Sequence, residues 1–296
     1  MPELPDISLY IEALGERVMG TRLVSARIAH PFLLRSVAPP LDSLSGRRVT
    51  ALRRIGKRIA IGFEGDRWLV FHLMVAGRLH WFAANGKPGK RAALASFTFE
   101  TGTLTLTEAG TKRRASLHVF GSQEAMASQD PGGLDVLESS YEEFRARLLA
   151  ENHTLKRSLT DPRAFSGIGN AYSDEILHRA GLSPVALSQR LDEPSIRKLY
   201  EATRAVLSEW TERLRTAARG EFPEKVTAFR PEMAVHGRFG KPCPVCGTPV
   251  QRIRYAENET NYCPRCQTGG RLLADRALSR LLKSDWPKTV DELEKM

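Results

Sequence analysis

Four cysteines occur in this chain, and all of them fall into one spacing pattern. Two residues separate Cys243 from Cys246 and Cys263 from Cys266, and sixteen lie between the pairs. A C-x-x-C turn presents two thiolates, and a short hairpin returns a second pair to complete the tetrahedron that zinc prefers. The pattern predicts one Zn2+ held by Cys243, Cys246, Cys263 and Cys266. Four thiolates close the coordination shell, so this metal holds structure and does no chemistry. Two disulfides are the competing reading. The spacing suits a metal better, and the N-terminus lacks the basic-then-apolar pattern of a secretory signal.

A second group able to do chemistry stands at the other end, in Met1-Pro2-Glu3-Leu4-Pro5-Asp6. A small second residue usually permits loss of the initiator methionine, which would leave Pro2 with a free secondary amine. An α-amine has a pKa of roughly 8, so part of it is neutral and nucleophilic near pH 7. Attack by such an amine on a sugar C1′ gives an iminium ion directly, an electron sink for elimination. Glu3 beside it can move protons. A Pro-Glu start is also what an ordinary disordered terminus looks like.

A third element runs from Thr154-Leu155-Lys156 to Phe165-Ser166-Gly167-Ile168-Gly169-Asn170 and on to Leu177. Gly167 and Gly169 permit a tight turn and close approach of a partner. Asn170 suits a helix N-cap, whose exposed N–H groups form a phosphate site, and Lys156 is within reach of the same phosphate. An ordinary helical hairpin with a glycine turn explains the segment equally well.

Positioning these groups requires the elements between them. Ile7, Ile11, Leu14 and Val18 give a helix over residues 6–19, ended at Gly20. Trp68-Leu69-Val70-Phe71-His72-Leu73 reads as a buried strand, and Leu104-Thr105-Leu106-Thr107 alternates with period two. Turn signals lie at Pro39-Pro40, Asn85-Gly86 and Lys87-Pro88-Gly89. The first half is therefore mostly β, a sandwich or flattened barrel. Residues 128–133 read as a linker. Helices come next over 140–150, 154–160, 170–180 and 195–217, then the cysteine hairpin at about 240–267 and an amphipathic stretch around 272–282. The fold class is α+β: an N-terminal helix with a two-layer β-sandwich, a C-terminal helical domain, and a zinc-binding β-hairpin. The expected domains are 1–133, 134–232, 233–267 and a C-terminal extension, 268–296, for which packing is favoured.

The 296 residues are 42% hydrophobic, enough for more than one core. No apolar run is long enough to span a bilayer, so a soluble, cytoplasmic protein without a membrane partner is expected. An excess of 44 Lys+Arg over 34 Asp+Glu gives a net charge of +10. Such a balance favours a polyanionic partner, most often nucleic acid.

In this order the features resemble the formamidopyrimidine-DNA glycosylase/endonuclease VIII family of base-excision repair enzymes, over roughly residues 1–267. The resemblance rests on Pro2-Glu3-Leu4-Pro5, on the helix–two-turn–helix element from Lys156 to Leu177, and on the zinc hairpin. It is strengthened by the approach Phe229-Arg230-Pro231-Glu232-Met233-Ala234-Val235-His236-Gly237. It implies a DNA cleft between sandwich and helical domain, and a monomer acting on damaged double-stranded DNA at the nucleoid. It also implies removal of oxidised bases of the formamidopyrimidine/8-oxoguanine type, with β- and δ-elimination at the resulting abasic site. Pro2 would be the Schiff-base nucleophile and Glu3 the proton carrier. Lys57 matches a hairpin lysine that contacts the DNA backbone near the lesion, and His72 belongs to a run near the same cleft. Plain surface lysine and core histidine are the alternatives for those two. The base is reached only after extrusion from the stack.

Three departures stand out. Val75 occupies the place of a strand methionine that fills the vacated stack, and Gly110-Thr111-Lys112-Arg113-Arg114-Ala115 replaces a loop that supplies an arginine and an aromatic wedge. Arg113 is positioned to keep the arginine's role. Asn258 stands where the hairpin's phosphate-binding arginine is expected, with Arg252 and Arg254 nearby as substitutes. The chain also continues past the zinc motif. Residues 219–227 occupy the place of a lesion-capping loop. The leading expectation is an active glycosylase/lyase with altered substrate choice. The alternatives are a non-catalytic or lyase-only DNA-binding member, and a zinc interaction module on an unrelated enzyme.

Overall fold

The structure, a computed structural model, describes residues 1–84, 93–109, 112–227, 229–255, 258–275 and 287–293. The expected turns at 85–89, the first two residues of the 110–115 loop, and most of the 272–282 stretch lie outside the described residues. The chain forms two compact units, residues 1–131 with 210–227, and residues 132–209 with 228–296.

The first unit begins with α1, Leu4–Val18, two residues earlier than its apolar period suggests. Pro5 lies in its first turn, where its missing N–H costs nothing. Ile7, Tyr10, Leu14 and Val18 are fully buried. Two four-stranded sheets come after it. One has the order β1 (Leu23–Ile28), β6 (Ala95–Phe99), β7 (Gly102–Glu108), β5 (Gly77–Ala83). The other has the order β2 (Val49–Ile55), β3 (Arg58–Phe63), β4 (Arg67–His72), β8 (Ser116–Phe120). All their pairings are antiparallel. Alternate residues such as Leu69, Phe71, Phe97 and Leu104 meet in one apolar core with α1. β4 is buried on both faces because Trp68 and Val70 pack beneath Met126 of α2, Gln123–Ala127.

In the second unit, α3 (Tyr141–Leu149) starts with a capping box between Ser140 and Glu143. α4 (Leu155–Thr160) and α5 (Asn170–Ala180) flank the glycine turn. Gly181 closes α5 in the left-handed conformation at φ 66°. β9 (Gln251–Tyr255) and β10 (Asn258–Tyr262) form the hairpin, followed by α7 (Pro264–Thr268).

One boundary differs from the sequence expectation. The expected helical domain includes residues 210–227, yet these pack with the sandwich. α6 (Glu193–Ala218) carries the chain from the second unit to the first, and Phe222 and Val226 beyond it lie in the sandwich core. Burial of those two side chains outweighs adjacency in sequence.

Phe97 is fully buried and meets Phe71 edge-on at 5.2 Å. Phe97→Ala should cost roughly 3–5 kcal/mol, read as a lower denaturant midpoint of the first unit. A loss under about 1 kcal/mol would mean the core does not close here.

Candidate active site and metal centre

Pro2 is buried beneath Met1, and Glu3 is only 2% exposed. Glu3 stands at the N-cap of α1 and shares a capping box with Asp6, whose carboxylate accepts the Glu3 N–H at 3.0 Å. A carboxylate is favoured there by the helix dipole, so the position serves the fold. Burial lowers the pKa of the terminal amine of Met1. Glu3 and Asp6 oppose this shift, while Arg78 and Lys57 add to it.

Gly56 and Lys57 make the two-residue turn between β2 and β3, with Ile55 paired to Arg58. Gly56 has φ 58°, as the first central residue of such a hairpin requires. This places half-buried Lys57 at the hairpin tip, close enough for its charge to act on both the terminal amine and His72. His72 ends β4 opposite Arg58 and Ser116. Burial, then the charges of Arg58 and Lys57, lowers its pKa to about 4, so at neutral pH it is an uncharged hydrogen-bonding group. The charge of Lys57 thus acts both on the terminal amine, beside Glu3, and on His72. The charge of Arg78, on β5, acts on that amine too, and this residue was missed on sequence; its place right after a His-to-Gly turn was the available signal.

The turn before β5 is tight. Gly77 donates to the Leu73 carbonyl at 2.9 Å, and a Cβ on Gly77 would lie 2.3 Å from that oxygen. Met74 adopts φ 52°, costly for a side-chain-bearing residue, and Val75 is 55% exposed. Arg113 is exposed and bonded to His30 Nε2 at 3.0 Å. The Glu108 carboxylate accepts the backbone N–H groups of Arg114 and Ala115, which fixes the described end of that loop.

In the second unit, two expectations change. Gly169, not Asn170, is the N-cap of α5. Asn170 is the first helical residue, and its side-chain amide donates to the Glu259 carbonyl of β10 at 2.9 Å. Lys156 is not an outward phosphate ligand: it is 6% exposed, and its ammonium donates to Asp174 Oδ1 and to the Asn170 carbonyl. A buried ammonium requires a partner, and Asp174 supplies it. Asp174 Oδ2 also accepts from His236 Nδ1 at 2.8 Å and from Asn261 N at 3.1 Å. Glu175 accepts the N–H groups of Ala234, Val235 and His236 at 2.7–2.9 Å. Burial nevertheless raises its pKa. The adjacent acids Asp174-Glu175 on an otherwise apolar helix face were the overlooked signal for this network. Arg254 is exposed on β9, while its backbone N–H donates to Asp275. Arg252 lies over Phe239 at 4.2 Å and reaches Glu259 at 3.4 Å.

The four cysteine sulfurs lie within 4.8 Å of one another. Cys243–Cys266 is 3.9 Å and Cys246–Cys263 is 3.4 Å. Four sulfurs about 2.3 Å from a tetrahedral zinc stand about 3.8 Å apart, so the cage fits the ion. His178 Nε2 lies 3.3 Å from Cys243 Sγ, joining α5 to the cage.

Emission spectrometry should find one zinc per chain, lost in Cys263→Ser; no zinc in the purified native chain would remove the metal assignment. His72 gives a pH prediction. Its folded pKa of about 4 lies below the usual 6.5, so the folded chain binds fewer protons between these values. The stability it contributes is complete above pH 6.5 and is lost as pH falls towards 4. NMR should find His72 neutral at about pH 5, and His72→Gln should flatten that part of the stability curve. An unshifted titration would contradict the burial.

Family models match three stretches: the formamidopyrimidine-DNA glycosylase N-terminal domain over residues 1–116, its H2TH domain over 133–219, and a zinc finger found in FPG and IleRS over 240–269. The formamidopyrimidine-DNA glycosylase of Solibacter usitatus is 32% identical over 275 residues, covering 90% of this chain and 99% of that one. The Heliobacterium modesticaldum enzyme is 32% identical over 292 residues, covering 90% and 100%. An uncharacterized formamidopyrimidine-DNA glycosylase-like protein of Mycobacterium tuberculosis is 42% identical over 151 residues, 51% of this chain and 94% of that one. Among solved structures, Lactococcus lactis Fpg with a Fapy-dG-containing DNA superposes with a TM-score of 0.79 at 22% identity, covering 90% and 100%. With these matches added to the sandwich, the glycine-turn helices and the four-cysteine hairpin, the chain belongs to the formamidopyrimidine-DNA glycosylase family.

Proposed function

We propose that this base-excision DNA glycosylase works through the amine of Pro2, exposed by removal of Met1, and cuts the strand at the abasic site it makes. The observation that carries the reading is the shared neighbourhood of the buried terminus, Glu3 and Lys57 in one unit. Burial lowers the proton affinity of the Met1 amine despite the opposing charges of Glu3 and Asp6, and a Pro2 amine left in the same buried place would be neutral, and so nucleophilic, over more of the physiological range.

The Pro2 nitrogen attacks C1′ of the extruded nucleotide, and the glycosidic bond breaks with its electron pair leaving on the base. Glu3, 2% exposed beside the amine, carries protons between sugar and base. Loss of the amine proton and cleavage of the C1′–O4′ bond, with O4′ taking the electron pair and a proton, open the sugar to an iminium; this acidifies the C2′ proton, whose removal expels the 3′ phosphate, and a second elimination expels the 5′ phosphate. Lys57 holds the backbone phosphate next to the lesion, with neutral His72 as a hydrogen-bonding companion. Asn170 at the start of α5 and Arg254 on the zinc hairpin contact phosphates further along the duplex, and Arg113 reaches towards the gap left by the base. The zinc holds the hairpin in shape. Chemistry falls to residues 1–133 together with 210–227, which pack with them, duplex binding to 134–209, and the metal finger to 233–267. The protein acts as a monomer on damaged double-stranded DNA at the nucleoid; among the described residues, no helix is long and apolar enough to cross a membrane.

A lyase-only or non-catalytic DNA-binding member is the second reading, favoured by Val75 and the altered 110–115 loop. Borohydride trapping on duplexes carrying an abasic site or an oxidised purine separates the two. The proposal expects an adduct on both, none with Pro2→Gly, and loss on the oxidised-purine duplex alone with Glu3→Gln. Tight binding without any adduct would make the chain a binding protein.

A further inference from the structure

After α6, Arg219 at φ 51° and Gly220 at φ 79° place two successive residues in the left-handed region and reverse the chain. An arginine there is strained, so the reversal must be held by the contacts of residues 220–226. This strap is tied at every second residue, as suits an extended segment. Arg17 donates to the Gly220 carbonyl at 3.0 Å. Phe222 enters the core against Tyr10 at 5.7 Å, with the Arg17 guanidinium 5.6 Å from its ring. Glu224 meets His80, whose other ring nitrogen lies 2.9 Å from Thr107 Oγ1. Val226 is buried, and its carbonyl accepts from Arg78 Nε.

Arg78 joins this strap to a second feature. Its Nη1 donates to the Gly77 carbonyl at 2.6 Å and the Val75 carbonyl at 3.2 Å, bracing the tight turn before β5. One planar guanidinium thus grips three carbonyls on two segments, which a lysine cannot do. Its charge is also felt at the terminal amine. The ties at 220, 222 and 224 are independent of Arg78, so the strap's attachment to α1 and β5 does not hang on this one residue.

We infer that Arg78 is a positioning residue for base excision: by gripping Val226 and the 75–77 turn together, it holds the 225–227 end of the strap as a fixed wall near the N-terminal amine, against which the extruded base is oriented. The inference rests on Pro2 as the nucleophile. A wall that orients the base matters while the base is attached and ceases to matter once it has left. Excision and abasic-site cleavage should therefore respond differently to its loss.

The test compares wild type, Arg78→Gln and Arg78→Lys on duplexes carrying formamidopyrimidine-guanine, 8-oxoguanine, dihydrouracil or a preformed abasic site. In Arg78→Gln, assayed at about pH 9 so that loss of the Arg78 charge leaves the amine neutral, the single-turnover release of the best base should fall by about tenfold or more, while duplex affinity and abasic trapping change by less than about threefold. Amide exchange at residues 225–227 should quicken, with 220–222 unaltered. Arg78→Lys keeps the charge without the fork and should show the same split to a smaller degree; it carries the test if the glutamine variant fails to fold. Equal losses in release and trapping would make Arg78 a support of the amine or the fold and overturn the inference, as would no loss in either. A wild-type chain that traps abasic DNA but releases none of these bases removes the excision step, and the inference falls with it. A wild-type chain that traps nothing fails earlier, at Pro2 itself.

Discussion

A chain terminus is covalently tethered on one side only, so the nucleophile proposed there must be held by the element it leads into. In this protein that is α1. The Glu3–Asp6 capping box closes its first turn, Pro5 sets the backbone angle, and Leu4, Ile7, Tyr10 and Leu14 sink into the sandwich. Each buried side chain contributes on the order of 1.5–3 kcal/mol. Fraying of the first turn, the usual fate of a terminus, would have to pull Leu4 and Ile7 from the core. The same helix then organises its neighbours. Arg17 holds the strap, and Glu12 takes a bidentate ion pair from Arg215 at 2.7 and 2.9 Å. What stands around the amine is fixed by how α1 docks.

The second unit depends on a different kind of constraint. Asp174 is buried and accepts from Lys156, His236 and Asn261, which come from α4, the approach to the zinc hairpin, and β10. A buried carboxylate is costly to desolvate, and such a pair seldom adds net stability over apolar packing. Removing one partner leaves an unpaired charge, at a cost of roughly 3–5 kcal/mol. The network therefore specifies one arrangement of hairpin against helix. His178 beside Cys243, and Gln267 donating to the Leu182 carbonyl at 2.9 Å, add two ties at the other end of α5. Lys156 is spent on this architecture and does not face outward as a cation.

The sandwich, the helices and the cysteine cage were legible because each has a local period or spacing: the alternation of Leu104 and Leu106, the turn of α1, the C-x-x-C pairs. The fate of Lys156 was not. Its apparent freedom was a statement about sequence neighbours, whereas its partner Asp174 lies eighteen residues on and is oriented by α5. Asn170 was misplaced by one residue because Gly169 can cap as well as a polar side chain can. The strap was unreadable for a related reason. Phe222 and Val226 carry no recognisable period over so short a segment, and their burial depends on a cavity built by α1 and β5. Contacts between distant segments leave no mark on local pattern. Glu3 and Lys57 were singled out by the resemblance, and that both charges act on the terminal amine is a consequence of hairpin and helix geometry.

One of the departures, Val75 together with the altered 110–115 loop, concerns residues that would touch the gap in the stack. Valine is shorter than methionine and stiff about χ1, so Val75 reaches less far from a turn that already strains Met74. If that turn enters the duplex, as the resemblance implies, more of the vacated space stays open, and filling recovers less of the unstacking energy, a few kcal/mol per step. The balance must come from elsewhere: from phosphate contacts, which carry no base information, or from contacts to the extruded base itself. A rigid wall gains importance in that situation, because a preordered surface loses no further chain entropy when the base arrives. Four ties along residues 220–226 are an arrangement suited to that demand. On the proposed function, weak interrogation of the stack and firm orientation of the extruded base would be two sides of one design, with selectivity moved from the duplex to the surroundings of the amine.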